Sequence, residues 1–366
     1  MNFQNYSMAN AAFDRFGVGT FSMELFLSHS FRWLISLPGL LFNAALLNTI
    51  IREKSIHGTC ATLLAIGSAV DFVFLLSFSV PFAISLVGQN MISNFDCFFL
   101  QFVPNFGLFS SVSVVFFVGI DRLISVLFPL WYCLLERHFF IYIFPMLTVT
   151  FGYSIYVLIE AAQLVLFVYK DWAVLCNNGD MFSFGMSAMV LRNGLVINGV
   201  SFFCYFFVGL AIFRCRKKNP NAMVTHRIFK SLAAIMALLV GTYFSICFIR
   251  LLFRSVKDPF FNFHILSSVT ALFTVTATSS NGLILFIFSS EYQLAFRKHL
   301  KRWPLIGLCL SRMGQQVPVN VIVVTNFNIA ANQPRTVSRQ FGQTTTKREG
   351  AKGKGTKAMA LARVDA

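Results

Sequence analysis

The chain has 366 residues, of which 56% are hydrophobic and only 12% charged, with 30 Lys and Arg against 14 Asp and Glu. Soluble domains carry about 25% charged residues, so this composition excludes a soluble globular protein and points to a membrane protein. The net charge of +16 raises nucleic acid as a partner, but its distribution along the chain follows a membrane topology instead.

Residues 1–27 read as a short extracellular N-terminal segment, and Asn5-Tyr6-Ser7 within it is a glycosylation sequon. The first apolar run is too long for the h-region of a signal peptide and is expected to serve as a signal anchor. Seven apolar spans follow, Arg32–Ile51, Cys60–Val87, Cys97–Leu127, Phe139–Tyr169, Met189–Phe213, Ile228–Phe253 and His264–Phe288. About 20 apolar residues cross a bilayer as a helix, and lipid requires a backbone that satisfies its own hydrogen bonds. The predicted fold class is therefore an all-α membrane protein, a seven-transmembrane helix bundle.

Orientation follows from the basic residues. With the N-terminus outside, 23 of the 30 Lys and Arg fall on the inner side, many of them in the loop around Arg214–Lys218 and after Phe288. That bias predicts an extracellular N-terminus and a cytoplasmic C-terminus, with contact to anionic lipid. Past the seventh span, Tyr292, Phe296 and Leu300 recur at i, i+4 and i+8. This spacing predicts a short amphipathic eighth helix on the inner surface, ended by Pro304, with Arg297, Lys298 and Lys301 toward headgroups. The receptor-sized unit is then 28–300. Residues 301–366 read as a disordered cytoplasmic tail, rich in Gln, Asn, Thr, Gly and Lys. Cys309 in that tail is either a palmitoylation site or a free thiol. Ser338 and Thr344-Thr345-Thr346 are candidate phosphorylation sites.

Polar residues inside the spans are the informative ones. Asp71 lies near the middle of the second span, Asn43 midway along the first and Asn281 in the inner half of the seventh. Ser111 sits 11 residues before Arg122, about three helical turns, and so shares its face at mid-depth. If these helices pack together, Asp71, Asn43, Ser111 and Asn281 could hold a sodium ion or a water cluster, because hard cations prefer oxygen ligands. A hydrogen-bonded polar knot that merely joins helices fits the same residues. Glu160, near the outer end of the fourth span, faces either a pocket or the headgroups.

The eight Cys include no CxxC and no Cys/His cluster at metal-ligand spacing. Cys97 opens the third span and Cys176 sits in the outer loop before the fifth, both in the oxidising compartment, so these two are expected to form a disulfide. The 25 residues from Cys97 to Arg122 rise roughly 37 Å as a helix, enough to cross a ~30 Å hydrocarbon core. One helix would thus carry the disulfide at one face and Asp121-Arg122 at the other. Between 181 and 257 there is no Asp or Glu, so any restraint on Arg122 at the inner end of the sixth span must come from Asp121 or a polar side chain.

This constellation resembles the rhodopsin-like G-protein-coupled receptors. The matching residues are Asn43, the Leu-Ala-x-x-x-x-x-Asp71 pattern, Cys97, Asp121-Arg122-Leu123, Cys176 and the Tyr292–Leu300 stretch. It is most similar to the nematode serpentine chemoreceptors of the Srsx class, through Gly119-Ile120-Asp121-Arg122-Leu123-Ile124, Pro129-x-x-Tyr132, Lys230-Ser231-Leu232 and Ser290-Glu291-Tyr292-x-x-Ala295-Phe296. The resemblance covers roughly 30–300. It implies a plasma-membrane receptor with no enzymatic activity and no resident cofactor. Its ligand would bind among the outer halves of helices three, five, six and seven. Its partner would be a heterotrimeric G protein, switched by Asp121, Arg122 and Tyr132.

Several positions depart from that pattern. Asn281-Gly282 stands where the broad family has Asn-Pro, and the sixth helix lacks both Pro and Trp (Thr242-Tyr243-Phe244-Ser245). Pro104-Asn105 stands where amine receptors place an Asp, which disfavours amine ligands. A neuropeptide receptor on the same scaffold is the nearest alternative. A channel or transporter is a more distant one, opposed by the absence of internal repeats and of charged rings.

Overall fold

A chain in hydrocarbon must satisfy its own backbone N–H and C=O groups, and the apolar runs of this protein do so as helices. The computed structural model describes residues 21–53, 58–182, 186–218, 223–253, 256 and 265–300. Asn5, Cys309, Ser338, Thr344 to Thr346 and the rest of 301–366 lie outside the described residues.

The elements in chain order begin with α1 (Met23–Arg52), α2 (Thr59–Leu75) and α3 (Ser79–Leu86). A three-residue 3-10 turn joins α2 to α3 into one span. Then come α4 (Asn94–Leu127), α5 (Pro129–Arg137), α6 (Phe139–Phe167), α7 (Ser187–Lys218), α8 (Met223–Leu252), α9 (Ser267–Phe288) and α10 (Ser290–Leu300). Six of the spans are long and apolar enough to cross a membrane, and α8 supplies a further apolar stretch, Ala233–Ile249. This is a multi-pass membrane protein with an all-helical bundle.

The first span begins nine residues earlier than the apolar run suggests, because Met23–Phe31, with Glu24, Ser28, His29 and Ser30 among its apolar residues, continues the helix. Part of the expected N-terminal segment is thus helical. The Pro129-x-x-Tyr132 stretch is the start of α5, with Pro at its first position, where a missing N–H costs nothing.

The long central helix α4 packs against α2, α6 and α7, while α9 closes the ring against α1 and α8. Small residues allow the closest approaches. A Cβ added to Gly107 of α4 would stand 2.7 Å from the Val70 carbonyl oxygen and 2.9 Å from the Phe74 backbone nitrogen of α2. At Gly282 of α9 it would stand 3.0 Å from the backbone of Phe42 on α1. The glycine that replaces the broad family's Pro therefore lets α9 lie directly on α1.

The eighth-helix element α10 turns its i, i+4 pair onto the bundle. Tyr292 and Phe296 are buried against Phe286, Leu46, Ile50 and Ala61 of the bundle, with the Phe286 and Phe296 rings 5.6 Å apart. At the same corner Lys298 Nζ lies 2.7 Å from Glu53 Oε2, tying α10 to the end of α1.

Candidate functional site

Three polar clusters are strung along α4, one at each end and one at its middle. The Cys97 end is a loop anchored to the bundle. Cys97 and Cys176 form a disulfide, their Cα atoms 5.3 Å apart. Beside it Ile92–Ser93 and Ala173–Val174 make a two-residue antiparallel strand pair. Cys176 has φ 58°, the left-handed region that non-glycine residues seldom adopt, and the chain turns inward there. Gln101 Nε2 then donates to the Cys176 carbonyl and to the Ser77 carbonyl, each at 3.1 Å. Asn178 Nδ2 donates to Ser77 Oγ at 2.6 Å. Further on, Phe182 sits edge-on to Phe109, ring centroids 5.3 Å apart. Phe109 is twelve residues along α4 from Cys97, about 18 Å of helical rise, so the loop reaches well down the bundle.

At mid-depth, Asp71 is 4% exposed. Ser111 Oγ donates to its Oδ1, and Asn281 Nδ2 donates to its Oδ2 at 2.9 Å. Three of the four residues expected here are thus brought together, from α2, α4 and α9. Asn43 is not joined to them. It is fully buried, yet among the described residues both its amide oxygen and nitrogen lack a hydrogen-bond partner, as does Asn281 Oδ1. A cavity of about 40 Å³ adjoins the cluster, lined by Asp71, Ser68, Asn281 and Tyr205 among apolar neighbours. That is room for two or three waters. Glu160 is half-buried in α6 and stands apart from this cluster.

At the far end, Asp121 is fully buried and receives three hydroxyls. Thr59 Oγ1 donates to Oδ1 at 2.9 Å, and the hydroxyls of Tyr132 and Tyr142 approach the same oxygen at 3.3 Å. Tyr132 and Thr59 also hydrogen-bond to each other. Burial pushes the Tyr132 hydroxyl well above its usual range, and the adjacent Asp121 charge adds to the effect, so Tyr132 stays a neutral donor. Arg122 makes only a long ion pair with this carboxylate. Its Nε lies 3.9 Å from Asp121 Oδ2 but donates to Cys60 Sγ at 2.9 Å. Cys60 is buried, at 5% exposure, in the first turn of α2. The restraint on Arg122 that the chain does not provide from an acid in α8 comes instead from a thiol on α2, with Asp121 adding a longer ion pair.

The family described as serpentine type 7TM GPCR chemoreceptor Srsx matches the chain over residues 36–300. This chain belongs to that family. Srsx proteins are non-enzymatic receptors of the seven-helix kind, and the match spans α1 through α10 apart from the first turns of α1. No curated protein matches the chain.

Sequence reasoning found the Srsx receptor's Asp121, Arg122 and Tyr132 but missed Thr59, Cys60 and Tyr142, which surround them. It also treated Arg32 only as the outer edge of the first span. In the structure Arg32 is 2% exposed and donates to Asn177 Oδ1 at 2.8 Å. A charged residue inside a span is the signal that should have singled it out.

Proposed function

We propose that this Srsx receptor transduces binding of an extracellular ligand, most simply a chemosensory one, into activation of a heterotrimeric G protein. In this reading the Cys97 end of α4 faces outside the cell and the Arg122 end faces the cytoplasm. Ligand binds among the outer halves of α4, α7, α8 and α9. The observation that carries the reading is the Arg122 arrangement. A guanidinium at the bundle's end is held by one hydrogen bond to Cys60 and by only a long ion pair to its own neighbour Asp121, whose carboxylate is surrounded by the hydroxyls of Thr59, Tyr132 and Tyr142. A ligand that binds better to a state in which α8 is displaced shifts the population toward it. That shift releases Arg122 to the C-terminal segment of the G protein, with Tyr132 and the basic 214–230 segment flanking the dock.

The mid-membrane cluster links the two ends. The Asp71 carboxylate with the unpartnered Oδ1 of Asn281 offers oxygen donors suited to a sodium ion or to water, and no step of the switch requires either. Asn5 as a glycosylation site and Cys309 as a palmitoylation site belong to the same orientation. So do the extracellular segment 1–27 and the cytoplasmic tail 301–366.

The test expresses the receptor at the plasma membrane with a promiscuous G protein and compares wild type with Arg122→Ala at matched surface level. Ligand-dependent signalling in the wild type and none in Arg122→Ala is the expected result. Unchanged signalling in Arg122→Ala overturns the switch, and ionic current or uptake in cells lacking G-protein function favours a channel or transporter. Screening peptides beside volatile and small soluble chemicals separates the neuropeptide alternative.

A further inference from the structure

The loop after the strand pair packs into the Cys97 end of the bundle, beside the helices among which the receptor reading places ligand. Leu175, Cys176, Asn177, Asp180 and Phe182 are all buried, none more than 5% exposed. At the centre of what they cover is Arg32. Its guanidinium donates to Asn177 Oδ1 at 2.8 Å, to Ser28 Oγ at 2.8 Å and carbonyl at 3.3 Å, and to Ser268 Oγ at 3.1 Å. Each of these acceptors is neutral. Among the described residues no carboxylate lies within ion-pair distance of it. Asp180 reaches it as a charge at longer range and through Asn177, whose backbone N–H donates to Asp180 Oδ2 at 2.9 Å.

A buried guanidinium served by neutral oxygens is under-compensated, and its forked donors match a carboxylate better than an amide or hydroxyl. We propose that Arg32 is the anion-recognition residue of this receptor. The loop residues Asn177 and Asp180 hold its place at rest, and the ligand is a small carboxylate that displaces them. The proposal rests on the receptor reading and names the ligand class for its outer site. Two further observations support it. Burial pushes the Asp180 carboxyl up to about 7, against the pull of the Asn177 N–H and the Arg32 charge, so near neutral pH the loop compensates Arg32 only in part. The partners of Arg32 also come from α1, the loop and α9. Exchange of the loop for a ligand therefore alters the contact at Ser268, thirteen residues along α9 from Asn281 and the Asp71 cluster.

The experiment uses the purified full-length receptor in lipid nanodiscs, without G protein, and ligand-observed saturation-transfer NMR with propionate and its neutral isostere propionamide. Propionate binds and propionamide does not, and Arg32→Gln removes the propionate signal while Arg32→Lys retains part of it. Because a resident competitor lowers apparent affinity by the fraction of open sites, Asn177→Ala tightens propionate binding several-fold. Asn177→Ala thus tests the site even if Arg32→Gln fails to fold. Equal binding of propionamide, a propionate signal that survives in folded Arg32→Gln, or no gain of affinity in Asn177→Ala each overturns the proposal. Coupling is not read in this assay. Its failure with Arg122-dependent signalling intact therefore removes the carboxylate site alone, and the reverse pattern removes the coupling reading alone.

Discussion

Replacing Cys60 by Ala removes the acceptor that Arg122 Nε uses at 2.9 Å and leaves Asp121, at 3.9 Å, as the nearest opposite charge. Hydrogen bonds to charged groups contribute about 1.5–3 kcal/mol, and sulfur is a weak acceptor, so about 1 kcal/mol is a reasonable value for this one. If the bond exists only in the resting state, its loss moves the equilibrium toward the active state by the same amount, about five-fold. Ligand-independent G-protein signalling should therefore rise about five-fold in Cys60→Ala, normalised to receptor counted at the cell surface. Cys60→Ser, whose hydroxyl accepts the same hydrogen bond, should stay near wild type. The normalisation matters because removing a buried thiol also leaves a small cavity that lowers the amount of folded receptor. An unchanged basal signal in Cys60→Ala, or an equal rise in Cys60→Ser, would refute the idea that the thiol restrains Arg122.

Three further outcomes are expected. Gly107→Ala forces α2 and α4 apart, since the added Cβ would lie 2.7 Å from the Val70 carbonyl oxygen. It should cost about 1–3 kcal/mol, read as a lower thermal midpoint, with Gly282→Ala milder because its contacts begin at 3.0 Å. Cys97→Ser opens the Cys97–Cys176 disulfide and should cost about 2–5 kcal/mol, seen as reduced folded receptor at the surface. Asp180 carries a pH dependence whose sign is fixed by its raised value. The folded state keeps a proton that the unfolded state releases between 3.8 and about 7. Its favourable contribution is thus full below that window and lost as pH rises through it, by at most about 4 kcal/mol. Asp180→Asn, which resembles the protonated carboxyl, should flatten the stability profile over this window and raise the midpoint at pH 8.

The parts of the fold that depend on composition along the chain were legible in advance. Apolar length located the spans, and compartment logic paired Cys97 with Cys176, which the structure joins. What depends on helix phase and depth was not. Thr59 and Cys60 meet Asp121 and Arg122 across 62 residues of sequence, a contact set by how α2 and α4 rotate against each other. No local pattern encodes that rotation. Asn43 shows the same limit from the other side: its position along α1 suited the Asp71 cluster, but its amide makes no hydrogen bond to it. The Tyr292–Phe296 spacing implied one apolar face on α10, and only the fold shows that this face packs on α1 and α9. Arg32 was visible as a charge inside a span, and only the fold of the loop 173–182 shows what it touches.

The central claim is that Asp121-Arg122 operates a G-protein switch, and nucleotide exchange tests it most directly. Purified receptor in lipid nanodiscs is mixed with a heterotrimeric G protein and guanine-nucleotide exchange on the α-subunit is timed. Wild type should accelerate exchange above the receptor-free rate, Cys60→Ala should accelerate it further, and Arg122→Ala should return it to the receptor-free rate. Acceleration by Arg122→Ala equal to that of the wild type would contradict the account.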